Sequence, residues 1–159
     1  MNNIKAKRGF ACLMVIAFFM LLSTQIVWSG PIEESNQIVQ QWMKAFHEGN
    51  AEALSALFAK DGVYIPWAGP FPVLGREAIR PYFEGFFRLY PIKFLTLRDM
   101  STKVYGDTAI FTSYWSFIYG DGKGSIKTVY GRSNSTNTIV EGQRLILIQS
   151  TSLLSVAGP

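Results

Sequence analysis

The chain has 159 residues, of which 48% are hydrophobic and 14% aromatic, and its formal net charge is +4. Three basic residues and no acidic residue lie within residues 1–29, so the rest of the chain holds 12 basic and 11 acidic residues, a net charge of +1. The basic balance therefore does not indicate a nucleic-acid partner. The one cysteine, Cys12, lies in the same segment, which excludes a disulfide, a catalytic thiolate and a thiolate metal site from the remainder.

Residues 1–29 have the organisation of a signal peptide. Their basic start precedes an apolar run over residues 10–22, and Val27 and Ser29 place small residues suitably for cleavage before Gly30. The run is short for a membrane span, although an uncleaved N-terminal anchor is the alternative. We expect cleavage, export to the periplasm or the medium, and no association with a membrane afterwards. Residues 30–159 would then form one domain.

Helical periodicity characterises the first half of that domain. Ile38, Trp42 and Phe46 recur at four-residue spacing, with polar residues on the opposite side. Gly49 then ends the first helix, and Asn50 is a candidate N-cap for the second. A third amphipathic helix comes later. The predicted helices span residues 33–48, 51–59 and 76–89.

After Pro91 the apolar pattern changes to the alternation of β-strands. Residues 66–75 form a Pro/Gly-rich bend before the third helix. Glycines within residues 120–124 predict a hairpin loop, since a phosphate loop would need a Gly-Lys-Ser/Thr triplet and a following helix. The predicted strands span residues 63–65, 92–100, 108–119, 126–139 and 144–154. This order predicts an α+β fold, with three N-terminal helices on one face of a strongly curved antiparallel sheet.

Aromatic side chains are the main candidates for a ligand pocket. Trp42 is buried by its helical phase, and its indole N–H needs a partner, which fits a core residue and a pocket residue equally well. The strand over residues 108–119 is apolar on both faces, with Trp115 on one and Tyr114 on the other. The sequence leaves open which face lines a pocket and which meets a second subunit. The aromatic candidates are Trp42, Tyr64, Trp67, Tyr114 and Trp115.

Residues 132–138 are polar throughout, in what should be the interior of a strand. A solvated strand is the simpler interpretation. In the alternative interpretation, Arg132, Asn134 and Thr136 share one face and orient a ligand in an apolar cavity. We therefore add Arg132 and Asn134 to the predicted ligand-binding residues, with Arg132 as the one fixed charge in the cavity.

The single histidine, His47, lies at the polar end of the first helix. A histidine on the surface or at a helix C-terminus explains this position better than a catalytic one, because a metal site or relay would need a second histidine. No Ser/His/Asp arrangement is recognisable. We expect no metal and no cofactor.

Three segments carry a resemblance to a known superfamily: WMKAFHEGN at residues 42–50, ALSALFAKDGV at residues 53–63 and LGREAI at residues 74–79. Their order resembles the nuclear transport factor 2-like superfamily, which includes SnoaL-like proteins and ketosteroid isomerases. Residues 107–109 and 130–132 agree with the same pattern. The resemblance covers nearly the whole predicted domain and implies a cone-shaped fold around a cavity. It says little about function, because the superfamily hosts enzymes, binding modules and oligomerisation domains.

The catalytic residues that the resemblance implies for an isomerase are not matched. The family's general-base aspartate falls on Pro66, its oxyanion tyrosine on Trp42, and its later acid near Asn134. Proline can neither accept nor return a proton, so base-mediated isomerisation is not expected. A dehydratase-like site would need cavity histidines, and only His47 is present. An epoxide hydrolase-like site would need two acids around an arginine, for which the candidates are Asp99, Asp107 and Arg132.

We interpret the chain as an exported SnoaL-like domain that binds a small hydrophobic or amphipathic ligand in an aromatic-lined pocket, as a homodimer formed through the sheet. A cofactor-independent lyase, isomerase or hydrolase using the same pocket is the first alternative. An oligomerisation or protein-interaction module is the second. An acid or histidine with a strongly shifted pKa in the cavity would favour the enzyme. A cavity filled by tryptophan side chains would favour the interaction module.

Overall fold

Three helices pack against one face of a six-stranded sheet in the computed structural model, which describes residues 30–120 and 123–154. The helices are α1 (Pro31–Glu48), α2 (Ala51–Ala56) and α3 (Arg76–Leu89). The strands are β1 (Phe58–Ile65), β2 (Val73–Leu74), β3 (Lys93–Tyr105), β4 (Thr108–Gly120), β5 (Ile126–Val140) and β6 (Gln143–Leu153). The α+β class and the curved, mostly antiparallel sheet predicted from the sequence are confirmed. The predicted signal peptide lies outside the described residues.

Local sequence signals account for the turn between α1 and α2. Gly49 adopts the left-handed conformation with φ of 69°, which glycine tolerates at no steric cost. The Asn50 backbone N–H donates to the Ala45 carbonyl at 2.9 Å, and the Asn50 side chain accepts from the Ala53 N–H at 2.9 Å. The predicted end of the first helix and the predicted N-cap of the second therefore coincide in one tight connection.

The sheet has the strand order β2-β1-β6-β5-β4-β3. Strands β3 to β6 form an antiparallel meander, and β1 joins it through a parallel pairing with β6. The first and last strands of the domain are therefore neighbours. Neither β2 nor the parallel pairing was predicted from the sequence.

The second helix ends earlier, and β1 begins earlier, than predicted. Residues 57–59 continue the helical pattern in sequence, but Phe58 pairs with Ile146 of β6, and the Ile146 N–H donates to the Leu57 carbonyl at 2.8 Å. Arg76 also donates to the Phe58 carbonyl through Nε at 2.8 Å and through a second guanidinium nitrogen. These tertiary hydrogen bonds outweigh the local helical preference.

Strand β3 also extends five residues beyond its predicted end at Met100. A bulge between Arg98 and Ser101, with Asp99 at φ of 49°, moves the following residues out of simple alternation. The alternating pattern therefore breaks while the pairing with β4 continues to Tyr105.

The main hydrophobic core lies between the helices and the inner face of the sheet, which we define as the face covered by the helices. Leu54, Phe58, Ile79, Phe83 and Phe117 are almost completely buried there. Within residues 30–120 and 123–154, no helix is long and apolar enough to cross a membrane.

Candidate functional site

A cavity lies between α1, the bend after β1 and the inner face of the sheet. Its volume is about 60 Å³. Most of the side chains that line it are aromatic or aliphatic, and the others are uncharged and polar. The lining residues are Ile38, Val39, Trp42, Phe46, Tyr64, Trp67, Phe86, Leu95, Leu97, Phe111, Trp115, Phe117, Ser133, Ser135, Ile146, Gln149 and Thr151.

Strand pairing places Trp115 at the centre of the inner face. Trp115 lies opposite Leu97 of β3 on one side and Gly131 of β5 on the other. A Cβ atom at Gly131 would overlap Cζ2 and Cε2 of the Trp115 indole and would lie 2.5 Å from the Ser152 carbonyl oxygen. The indole therefore lies directly across the Gly131 backbone, and glycine is needed there because any side chain would displace it.

Aromatic packing builds the walls from α1 and from the bend. The Trp42 ring stacks on Phe46, with centroids 5.1 Å apart and planes at 13°, and it meets Phe83 edge-on. From the opposite side Trp67, half-buried in the bend, approaches Trp115 with ring centroids 6.3 Å apart. Two distant segments thus bring their tryptophans to one cavity.

Tyr64 is the one titratable side chain among the described residues that line the cavity. Burial raises the pKa of its hydroxyl above the ordinary value, the nearby Tyr82 raises this pKa further, and a hydrogen bond with Thr151 opposes the rise. The Thr151 hydroxyl itself donates to the Ile65 carbonyl at 3.1 Å. Tyr64 is therefore a neutral phenol at physiological pH and acts in the cavity as a dipole, not as a charge.

Three polar atoms of the lining residues are buried without a hydrogen-bond partner among the described residues. They are the indole nitrogens of Trp42 and Trp115 and the side-chain oxygen of Gln149. By contrast, Ser133, which also lines the cavity, shares a 2.8 Å hydrogen bond with the buried Ser113. Unpartnered buried polar atoms are uncommon in folded proteins, so two donors and one acceptor around one cavity call for a physical account.

The structure brings four of the seven predicted site residues together. Trp42, Tyr64, Trp67 and Trp115 line the cavity. Whether they bind a ligand stays a prediction.

The other three predicted site residues, Tyr114, Arg132 and Asn134, are exposed on the opposite, outer face of the sheet. The prediction that Arg132 lines the cavity is wrong. Residues of a strand alternate between faces, so the neighbouring Ser133 and Ser135 point inward while Arg132 and Asn134 point outward. The Arg132 guanidinium instead donates to the Ser152 hydroxyl at 3.2 Å.

Sequence reasoning missed the polar part of the lining, namely Ser133, Ser135, Gln149 and Thr151. The available signal was the pairing of β5 with β6, which sets Ser133 opposite Thr151 and Ser135 opposite Gln149. Ser133 and Ser135 on the inner face therefore each lie beside a polar β6 residue. Finding the pairs from sequence would have required the register and the choice of face together.

The remaining catalytic candidates lie outside the cavity. His47 is exposed, stacks on Phe94 with centroids 5.4 Å apart, and has Nε2 2.9 Å from the Leu95 carbonyl oxygen. The acids and arginine considered for an epoxide hydrolase-like site are all exposed: Asp99, Asp107 and Arg132. Within residues 30–120 and 123–154, no cluster of three or more His, Cys, Asp or Glu residues is placed to hold a metal.

A second polar cluster connects the start of α1 to the sheet through hydrogen bonds. Asn137 donates to the Ser35 hydroxyl at 3.0 Å, and both residues are completely buried. Arg144 donates to Glu34 at 3.0 Å, to the side-chain oxygen of Asn137 at 3.3 Å and to the Asp107 carbonyl at 2.9 Å. These polar groups are hydrogen-bonded to one another, which indicates a structural role.

Comparison with known proteins agrees with this architecture. The chain belongs to the SnoaL-like domain family, whose model matches residues 39–143. No curated protein matches the chain. The match to the family model confirms the predicted nuclear transport factor 2-like superfamily.

Solved structures share the fold at low sequence identity. A nuclear transport factor 2-like protein with a cystatin-like fold from Novosphingobium aromaticivorans is 19% identical, with a TM-score of 0.71 over 99% of this chain and 94% of its own. A protein proposed to be a dehydratase of the same family, from Streptomyces avermitilis, is 15% identical, with a TM-score of 0.71 over 79% of this chain and 97% of its own.

A third neighbour, from Xanthomonas campestris, is described as a proposed calcium/calmodulin-dependent protein kinase II association domain. It is 23% identical, with a TM-score of 0.71 over 81% of this chain and 91% of its own. Such low identities establish the common fold and leave the activity of this chain open.

Proposed function

We propose that the cavity binds a small, uncharged, hydrophobic or amphipathic ligand. The observation that carries this proposal is the lining itself, in which tryptophan, phenylalanine and aliphatic side chains surround a space with neutral polar groups only. An ionic ligand would leave water for a site where, among the described lining residues, none is Asp, Glu, His, Lys or Arg, and that desolvation is costly. The cavity volume of about 60 Å³ limits the ligand to a compact molecule.

A pair of adjacent substitutions on β5 tests this function. Ser135→Leu adds bulk to the cavity lining, whereas Asn134→Leu places the same side chain on the outer face. We expect the affinity for a compact neutral fluorescent probe, 2-naphthol, to fall by about tenfold or more in Ser135→Leu, because the added atoms occupy ligand space. The affinity of Asn134→Leu should match the wild type. Equal probe binding by all three proteins would place the ligand elsewhere and refute the proposal.

A lyase, isomerase or hydrolase acting in the same cavity is the alternative. Its specific support is Tyr64, a buried phenol in the cavity lining whose hydroxyl can donate a hydrogen bond to an oxygen gaining negative charge. We expect no isomerisation of ketosteroids, because Pro66 stands where the general base of that reaction would be needed. Turnover of such a ketone above background would contradict this expectation.

We also propose that two copies associate through the outer face of the sheet. A domain whose function is oligomerisation or protein interaction is the second alternative to ligand binding. Large apolar side chains are exposed across β4 and β5 there: Ile110, Tyr114, Ile118 and Tyr130. An exposed apolar surface of this kind supports a protein contact. Light scattering should show a dimer that Ile118→Arg dissociates, while Ile32→Arg, on the exposed start of α1, leaves it intact. A wild-type monomer at micromolar concentration would contradict the proposal.

Export remains the proposed localisation. Its support is the order of basic, apolar and small residues within residues 1–29. Mass spectrometry of the protein recovered from the periplasm or medium should give a chain that begins at Gly30. A chain that retains Met1 and fractionates with membranes would instead indicate an uncleaved anchor.

A further inference from the structure

Three strongly exposed aliphatic side chains lie at one end of the sheet. Leu89 at the end of α3 is 69% exposed, Ile92 just before β3 is 66% exposed, and Ile126 at the start of β5 is 63% exposed. The Gly120 N–H donates to the Ile92 carbonyl at 3.1 Å, and Gly120 pairs with Ile126 across β4 and β5. The two isoleucines therefore flank one glycine, and only two residues separate Leu89 from Ile92. We call these three side chains the aliphatic cluster.

Basic side chains accompany the aliphatic cluster. Arg88 and Lys127 are exposed, and Lys93 is half-buried. Lys93 and Lys127 both pair with Tyr119 of β4, in the row of residues next to the two isoleucines. None of these three basic side chains forms an ion pair with a described residue. Asp121 lies outside the described residues, and the described segments that form this end contain no acidic residue: residues 85–95, 116–120 and 123–130.

This combination differs from the rest of the described surface. A single exposed aliphatic side chain is ordinary and needs no explanation. On the exposed side of α3, Arg80 is paired with Glu52 and Glu84. At the end of the sheet, by contrast, three aliphatic side chains share one region with three cations that have no acidic partner. Aliphatic side chains next to Lys and Arg are typical of surfaces that bind at the boundary between the headgroups and acyl chains of an anionic membrane.

We propose that this end of the domain docks on a membrane surface that carries anionic phospholipids. The aliphatic cluster enters the boundary region of the bilayer, while the three basic side chains stay among the headgroups and donate to phosphate oxygens. This inference goes beyond ligand binding in the cavity, since none of the six side chains lines it. It departs from the expectation, drawn from the sequence, that residues 30–159 do not associate with a membrane.

Flotation of the purified protein with lipid vesicles tests this contact. One set of vesicles contains phosphatidylglycerol and phosphatidylethanolamine, and the other contains phosphatidylcholine only. We expect the wild type to float with the anionic set and much less with the neutral set, and added salt should reduce the flotation because it screens the charges. Ile126→Ser should weaken binding to the anionic vesicles about tenfold, because that side chain no longer gains by leaving water. Lys127→Gln should weaken it about fivefold, the contribution of one cation near an anionic surface.

Two variants elsewhere on the surface are the matched controls. Leu74→Ser changes a side chain that is 65% exposed on β2, at the edge of the sheet opposite β3. Arg132→Gln removes an exposed charge from the middle of the outer face. Both controls should float as the wild type does. All four variants should keep the wild-type circular dichroism spectrum and the wild-type affinity for 2-naphthol, measured without vesicles, because none of the changed side chains lines the cavity.

Several outcomes would overturn the inference. A wild-type protein that does not float, or that floats equally with both sets of vesicles, does not recognise an anionic membrane. Flotation that persists in the double variant Ile126→Ser/Lys127→Gln, or that falls equally in the controls, would mean that another part of the chain contacts the lipid, residues 1–29 included. Self-association without vesicles that Ile126→Ser abolishes would show that a second copy covers the aliphatic cluster. In each case the affinity for 2-naphthol decides the function of the cavity independently.

Discussion

The two faces of the central strand β4 are nearly alike in composition but differ in their surroundings. Phe111, Trp115 and Phe117 point inward and are at most 5% exposed, whereas Tyr114 and Ile118 point outward and are 45% and 37% exposed. The difference arises from the helices, which cover one face only. Apolar content therefore indicates that a face can be buried, while the tertiary arrangement determines which face is buried and what encloses the cavity.

The largest expected effect comes from adjacent residues on the two faces. Phe117→Ala should lower the free energy of unfolding by about 3–5 kcal/mol, because it leaves a void in a packed core. Ile118→Ala should cost less than about 1 kcal/mol, since that side chain keeps contact with water. Urea unfolding at low protein concentration measures both.

If Ile118→Ala lowers the free energy of unfolding as much as Phe117→Ala does, the outer face is buried in solution and the two faces do not differ in burial. A cost for Ile118→Ala that grows with protein concentration would identify the proposed dimer as the cause.

Gly131 tests how closely the inner face is packed. Gly131→Ala should destabilise the protein by roughly 3 kcal/mol, because the new Cβ would overlap the Trp115 indole and approach the Ser152 carbonyl. Gly85→Ala, in α3, is the matched control, and it should stabilise by about 0.5–1 kcal/mol because a Cβ there meets open space and favours the helix. Thermal or urea unfolding measures both, and equal midpoints would show that the indole can move aside.

Arg132 of β5 and Arg144 of β6 allow a similar comparison between an exposed and a buried charged side chain. The Arg144 side chain is 5% exposed and pairs with Glu34, whereas Arg132 is exposed. Arg144→Ala should cost about 2 kcal/mol, because it removes hydrogen bonds to Glu34, Asn137 and Asp107. Arg132→Ala should change stability by less than about 0.5 kcal/mol. A larger loss for Arg132→Ala in urea unfolding would contradict the assignment of faces.

The smallest effect is a pH dependence due to Tyr64. Burial raises the pKa of Tyr64 above its ordinary value of 10.0. Above about pH 10 the unfolded chain therefore releases a proton that the folded protein retains, so stability falls as the pH rises, by up to about 1.4 kcal/mol per pH unit. Tyr64→Phe should fall less steeply than the wild type between pH 10 and 11. Equal slopes for Tyr64→Phe and the wild type in urea unfolding over this pH range would contradict the assignment to Tyr64.

Residue spacing alone was sufficient to predict much of the fold. Helical periodicity predicted α1 and α3, Gly49 and Asn50 predicted the turn between α1 and α2, and alternation predicted the four strands of the meander. These features depend on contacts between residues close in the chain, so a single sequence contains the information. The family motifs added the superfamily, because they occur in the order that the fold requires.

Tertiary structure decided the rest. Phe58 joins a strand because Ile146, far along the chain, offers it a partner, and Trp115 lies in the cavity while Tyr114 does not because the helices cover one face only. Residues 132–138 show the limit most directly: alternation separates Arg132 from Ser133, but nothing local indicates which of the two points inward. The choice of face depends on the packing of the whole domain, and it places the serines and Gln149, not Arg132, beside the tryptophans.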